Sequence, residues 1–182
     1  SVLSEGLVSL YIVGTGSGNQ RDITGSLTPN PFPVWVNGNF TELTGSGMML
    51  AVAKSIEGRE DGVHDRRPMC ATVQILQPVY TAYSIAITGL STRDYDTQIK
   101  NALIAALDEK RPHIRVLNYK QNAAKINKLA LSALVSEIIG DGTFTGFSLK
   151  NAAGTEINEE SLGVGCLAYM RALTINGSTI EI

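Results

Sequence analysis

Histidine is the side chain best suited to proton transfer near neutral pH and to metal binding, and the sequence holds two. His64 lies in the charged run Asp61-Gly-Val-His-Asp-Arg-Arg67, and His113 stands near Arg111 and Arg115. Neither has a second histidine four residues away or a Cys-x-x-Cys pair beside it, the spacings that gather metal ligands. Both read as solvated loop histidines. Gly14-Thr-Gly-Ser-Gly18 follows a strand-like segment and is the one run that suggests a phosphate loop or a nucleophile elbow. A dinucleotide site needs a third glycine in register and a helix whose N-terminus faces the pyrophosphate. The residues that follow, Gln20 to Pro31, cannot form that helix, and no Gly-Lys-Ser/Thr is present. Ser17 also sits one place off the centre of a Gly-x-Ser-x-Gly pattern. The run therefore reads as a surface loop.

Two acidic groups remain, Glu159-Glu160 and Glu57/Glu60/Asp61. A glycosidase pair must face across a cleft, whereas neighbouring carboxylates on a loop are expected to be solvated. Cys70 and Cys166 make no disulfide framework. They are expected as small reduced thiols. No catalytic residue, metal or cofactor is expected, and no small-molecule substrate.

The chain that must position any site has 182 residues and a formal charge of −2. It is long enough to bury a core without disulfides or metal. The near balance of charge lacks the basic excess of a nucleic-acid surface. No apolar run reaches the roughly 18 residues of a membrane span, and no signal peptide is evident. The chain begins at Ser1 rather than Met, which suggests a piece of something longer.

Leu7 to Val13 is short, β-branched and aromatic, and predicts a strand. Asn37-Gly38 between two β-prone runs predicts a hairpin. Met48 to Glu57 predicts a helix, with Met48, Met49, Val52 and Ile56 near helical spacing. Strands are expected from Met69 to Leu76 and from Tyr80 to Thr88, separated at Pro78. A helix capped by Ser91 or Thr92 runs on to Lys110, Arg111 and Pro112. A second, from about Gln121 to Ile139, buries Leu131, Leu134, Val135 and Ile138. Strands return at Gly146–Lys150 and Leu167–Ile175, and Asn176-Gly177 turns a second hairpin into Thr179–Ile182. Without a regular strand–helix alternation the pattern is α+β. It suggests two small mixed subdomains, 1–78 with a hairpin and 79–182 with a helix pair packed on a small sheet.

With the chemical inventory this thin, contact surfaces are the better candidates. Phe32, Trp35 and Phe40 on the 31–41 hairpin are aromatic residues in an exposed type of element, where interface anchors occur. Alternation in Pro33-Val-Trp-Val36 sends Trp35 to the face opposite Val34 and Val36. These three residues form the candidate assembly contact.

Arg67-Pro68, the strand to Leu76, Pro78, the strand to Thr88 and two helices to Ile139, preceded by the Leu7–Val13 strand and a helix, form an ordered set. That order resembles the baseplate J-like family of contractile phage tails, which includes the inner baseplate wedge protein of T4-like phages and its Mu-like and P2-like counterparts. The resemblance implies a structural virion protein with no catalytic residues to carry over. It would dimerise, join other baseplate wedge proteins into a ring, and be assembled in the host cytoplasm. The link Pro112 to Val116 lacks the glycine expected between the helices, and an N-terminal region usual in the family is missing. The alternatives are a receptor- or carbohydrate-binding tail module using Trp35 as a stacking platform, and a small tail-associated hydrolase using Glu57 or Glu159.

Overall fold

The computed structural model describes residues 6–12, 25–32, 35–37, 39–40, 42–57, 71–110, 113–115, 120–122, 124–163 and 165–182. Of residues 35–36, 39–40, 113–115 and 120–122 it describes the backbone. Gly14–Gly18, His64, Arg67-Pro68 and Cys70 lie outside the described residues. The fold is α+β. Its strands and helices fall into two compact units that divide between Pro78 and Val79.

In the first unit the elements are β1 (Gly6–Tyr11), β2 (Gly25–Thr28), β3 (Trp35–Val36), β4 (Asn39–Phe40), β5 (Thr44–Ser46), α1 (Gly47–Glu57) and β6 (Ala71–Leu76). β1 runs parallel to β6, with Gly6 against Ala71 and Tyr11 against Leu76. β2 and β5 are antiparallel. Their approach is so close that a Cβ on Gly45 would meet the Ser26 carbonyl oxygen, and Gly45 has φ +143°; only glycine fits. β3 and β4 form the expected hairpin, with Val36 opposite Asn39 and Asn37 at φ 51°. α1 forms where expected, but Met48 points outward. The buried positions are Met49 and Ala53, four residues apart on one face, with Ile56 packed against the same core.

In the second unit β7 (Val79–Thr88) is followed by α2 (Asp96–Asp108), β8 (His113–Arg115), β9 (Lys120–Asn122), β10 (Ala124–Asn127) and α3 (Lys128–Ile139). β11 (Gly146–Lys150), β12 (Glu159–Leu162), β13 (Cys166–Ile175) and β14 (Ser178–Ile180) complete it. The main sheet has the order β11-β7-β13-β14. β13 is parallel to β7, with a register shift between Met170 and Ala172. One sheet face carries Tyr83, Ile85, Ile87, Leu149, Met170, Leu173 and Ile175, all buried. Ile99, Leu103 and Leu107 of α2 and Leu131, Val135 and Ile139 of α3 join them in one core. Each helix contributes an i, i+4, i+8 stripe, the face a helix lays on a sheet. The Asn176-Gly177 turn closes β13 onto β14 with φ 49° and 79°, the left-handed pair a tight hairpin requires. The Asn176 amide also brackets the backbone of Leu90, accepting from its N–H and donating to its C=O, both at 2.9 Å.

The helix expected from Gln121 instead starts at Lys128. The Asn127 side chain accepts from the Ala130 N–H at 3.1 Å and caps the helix. Residues 124–127 are an extended strand paired with β12, so a long-range partner overrides local helical propensity there. α2 also starts later than expected, after Tyr95 and with no side-chain cap. Thr92 and Ser91 bond elsewhere: the Thr92 hydroxyl donates to Asp94 at 2.8 Å, and the Ser91 hydroxyl accepts from Thr143 N–H at 3.1 Å.

Candidate assembly surface

Phe32 is fully buried, which corrects its reading as an exposed anchor. The backbone explains why. Phe32 N–H donates to Val73 C=O and Phe32 C=O accepts from Val73 N–H, both at 2.8 Å, so residue 32 lies alongside β6. Its ring joins the core of Leu27, Leu43, Met49, Ala53, Val73 and Ile75. Trp35 and Phe40 stand opposite each other in the β3–β4 ladder; their side chains lie outside the described residues.

The acidic pair proves to be on a strand rather than a loop. Strand alternation sends neighbouring carboxylates to opposite faces. Glu159 accepts from Lys125 Nζ at 2.7 Å and from Asn127 Nδ2 at 3.3 Å. The lysine bond, helped by Asn127, holds its carboxyl below the usual range. Glu160 accepts from the Tyr83 hydroxyl at 2.7 Å. Burial, and then this bond to a carboxylate, pushes the Tyr83 hydroxyl well above its ordinary range. Lys128 pairs with Glu156 at 2.7 Å and lowers that carboxyl too. These carboxylates are occupied in fastening β12 and the segment before it to their neighbours. Glu57 is the last residue of α1. Among the described residues no three His, Cys, Asp or Glu side chains gather as a metal site, no helix is long and apolar enough to cross a membrane, and Cys166 is a free, half-buried thiol. His113 sits on β8, and its side chain is not described.

Among the described residues large apolar groups reach the surface singly at Met48 and Val79, along β1, and at Leu129. Every residue of β1 is exposed, including Leu7 at 59% and Val8, Leu10 and Tyr11. In an ordinary sheet strand one face would be buried, because side chains alternate; here both faces are open. Neither β1 nor β6 carries a charged residue. On the second unit a groove of about 410 Å³ runs between α2 and α3, lined by Ala106, Leu107, Lys110, Ile126, Leu129 and Ala130 among others. Leu129 stands at its edge, 76% exposed, and the small alanines leave room beside it. The run Leu7–Val13 was legible as a strand, but its exposure was not. The one signal was an unbroken uncharged apolar pattern with no polar alternate face beyond Ser9. No protein-family model matches the chain, and a search of curated proteins finds no significant match.

Proposed function

We propose that this chain is a structural baseplate component of a contractile phage tail or a related injection machine, working by contact in the virion. It would associate with itself and with other wedge proteins to build a ring. The observation that carries the reading is β1, a strand exposed at every position, whose large residues are Leu7, Val8, Leu10 and Tyr11. Contiguous exposed apolar surface marks an interaction site more often than an idle one. The order β6, β7, α2, α3 followed by returning strands also supports the resemblance to the baseplate J-like family, although β8, β9 and β10 stand between the helices and were no part of the resembling set. The hydrolase alternative loses support at Glu159, because that carboxylate is tied to Lys125 at 2.7 Å.

Co-expression with wedge proteins of a contractile tail, followed by sedimentation and electron microscopy, tests the reading. Ring-like or wedge-like particles containing the chain are expected. A chain that stays monomeric at every concentration and joins no wedge protein would overturn it.

A further inference from the structure

We infer that two copies of the chain join through β1, edge to edge and antiparallel, about a two-fold axis at Ser9. The inference rests on the proposed assembly role and names the surface that serves it.

The direction of the backbone groups comes first. Ile12 N–H donates to Leu76 C=O at 3.1 Å, and β1 is parallel to β6 with Tyr11 opposite Leu76. Backbone groups alternate sides along a strand. Gly6, Val8 and Leu10 therefore turn theirs toward β6, as Ile12 does. Leu7, Ser9 and Tyr11 turn theirs away. Among the described residues no strand lies on that outer side. The far edge of β6 is treated differently. Phe32 exchanges two hydrogen bonds with Val73. The Asn30 side chain then takes the place of a further backbone unit, donating to Ile75 C=O at 2.7 Å and accepting from Ile75 N–H at 3.1 Å. Among the described residues, one edge is closed at Val73 and Ile75 and the other has no partner along β1.

The occupant follows from register. Two antiparallel strands related by a two-fold axis oppose residues of the same parity, and outward groups must meet outward groups. Placing Ser9 opposite Ser9 sets Leu7 opposite Tyr11 and Tyr11 opposite Leu7. All three outward residues then exchange hydrogen bonds with three outward residues of the second copy. Sliding to Leu7 against Ser9, or Ser9 against Tyr11, leaves one outward residue beyond the partner strand. The side chains agree with the first register. Val8 falls opposite Leu10 in the non-bonded pairs, where side chains are closest. Leu7 falls opposite Tyr11 as an aliphatic–aromatic pair on the other face. Charge agrees as well. Proteins commonly guard an open edge with lysine or proline, and β1 has neither. Its neutral strand meets its own copy with no like-charge pair and offers a charged partner no counter-ion.

Sedimentation equilibrium of the whole chain, with the variants Ser9→Pro and Ser9→Cys, tests this. The wild type is expected to dimerise with rising concentration. Ser9→Pro is expected to weaken the dimer at least about tenfold with melting unchanged, since proline is tolerated where the strand N–H faces outward. Under mild oxidation Ser9→Cys is expected to give a disulfide-linked dimer well above the wild-type background, because opposed bonded residues lie about 5.5 Å apart at Cα, within disulfide reach. If Ser9→Pro unfolds, the Ser9→Cys product decides alone. A dimer that survives Ser9→Pro undiminished, with no extra Ser9→Cys product, would overturn the β1 interface and leave the assembly role standing. A wild type that never dimerises but does join wedge proteins would likewise overturn self-pairing alone. A wild type that does neither would overturn both.

Discussion

The two units use apolar residues in opposite ways. Among the described residues the second buries seventeen hydrophobic side chains in one core, between a four-stranded sheet and two helices. The first buries seven and sets the apolar residues of β1 in water. Burial of apolar area is the main favourable term in folding. The second unit thus has the means to fold by itself, while the described residues of the first leave apolar surface to be covered. The contrast suggests a division of labour in which one unit supplies stability and the other contact.

The strongest way to break that comparison is to cut one core residue in each unit. Phe32→Ala and Leu103→Ala both remove fully buried side chains and should cost about 3–5 and 2–5 kcal/mol respectively. Calorimetry should show the loss in the first-unit transition for Phe32→Ala and in the second-unit transition for Leu103→Ala. Self-association per folded molecule should be unchanged by Phe32→Ala. If that variant instead abolished assembly without altering melting, Phe32 would be a contact residue and its buried placement would be wrong.

The Tyr83–Glu160 bond sharpens the account of the second unit. Because the folded state raises the Tyr83 hydroxyl above its ordinary value of 10.0, the associated stability is fully present below about pH 10. It is lost as pH rises beyond that, when the unfolded tyrosine ionises first. Tyr83→Phe should remove this alkaline sensitivity and cost about 1–3 kcal/mol at neutral pH, since Glu160 loses its donor. Denaturant melts of the second unit between pH 7 and 11 measure both.

Smaller effects lie at the margins of the same unit. Asn127→Ala removes the cap of α3 and should cost about 1 kcal/mol, read by chemical denaturation. Lys125→Ala leaves the exposed Glu159 carboxyl with Asn127 alone, and its titration should rise part of the way toward its ordinary value by NMR. Glu159 is held low in the fold, so its contribution is present above the unfolded value and fades as pH falls through the folded one. Both partners are largely exposed, so melting at neutral pH should hardly move.

Local pattern carried much of this structure. Strand residues such as Ile85 and Ile87, the stripe Ile99–Leu103–Leu107 and the Asn-Gly turns act through neighbours close in sequence, and their elements were legible. What was not legible depends on distant partners. Ala124–Asn127 is strand because β12 pairs with it, and Glu159-Glu160 is strand for the same reason. Phe32 looked like a hairpin aromatic, yet Val73, far along the chain, draws its backbone beside β6 and its ring inward. β1 showed the converse. Its composition resembled that of a buried strand, and only the absence of a covering layer among the described residues marks it as a surface.

Hydrogen exchange at single amides across a range of chain concentration tests the division of labour most directly. The N–H groups of Leu7, Ser9 and Tyr11 point away from β6, so they should exchange rapidly in dilute solution and become protected as concentration rises. The amides of Val8 and Leu10, and those of the second-unit core, should show no comparable concentration dependence. Concentration-independent exchange at all three outward amides, or new protection confined to the groove beside Leu129, would contradict the account.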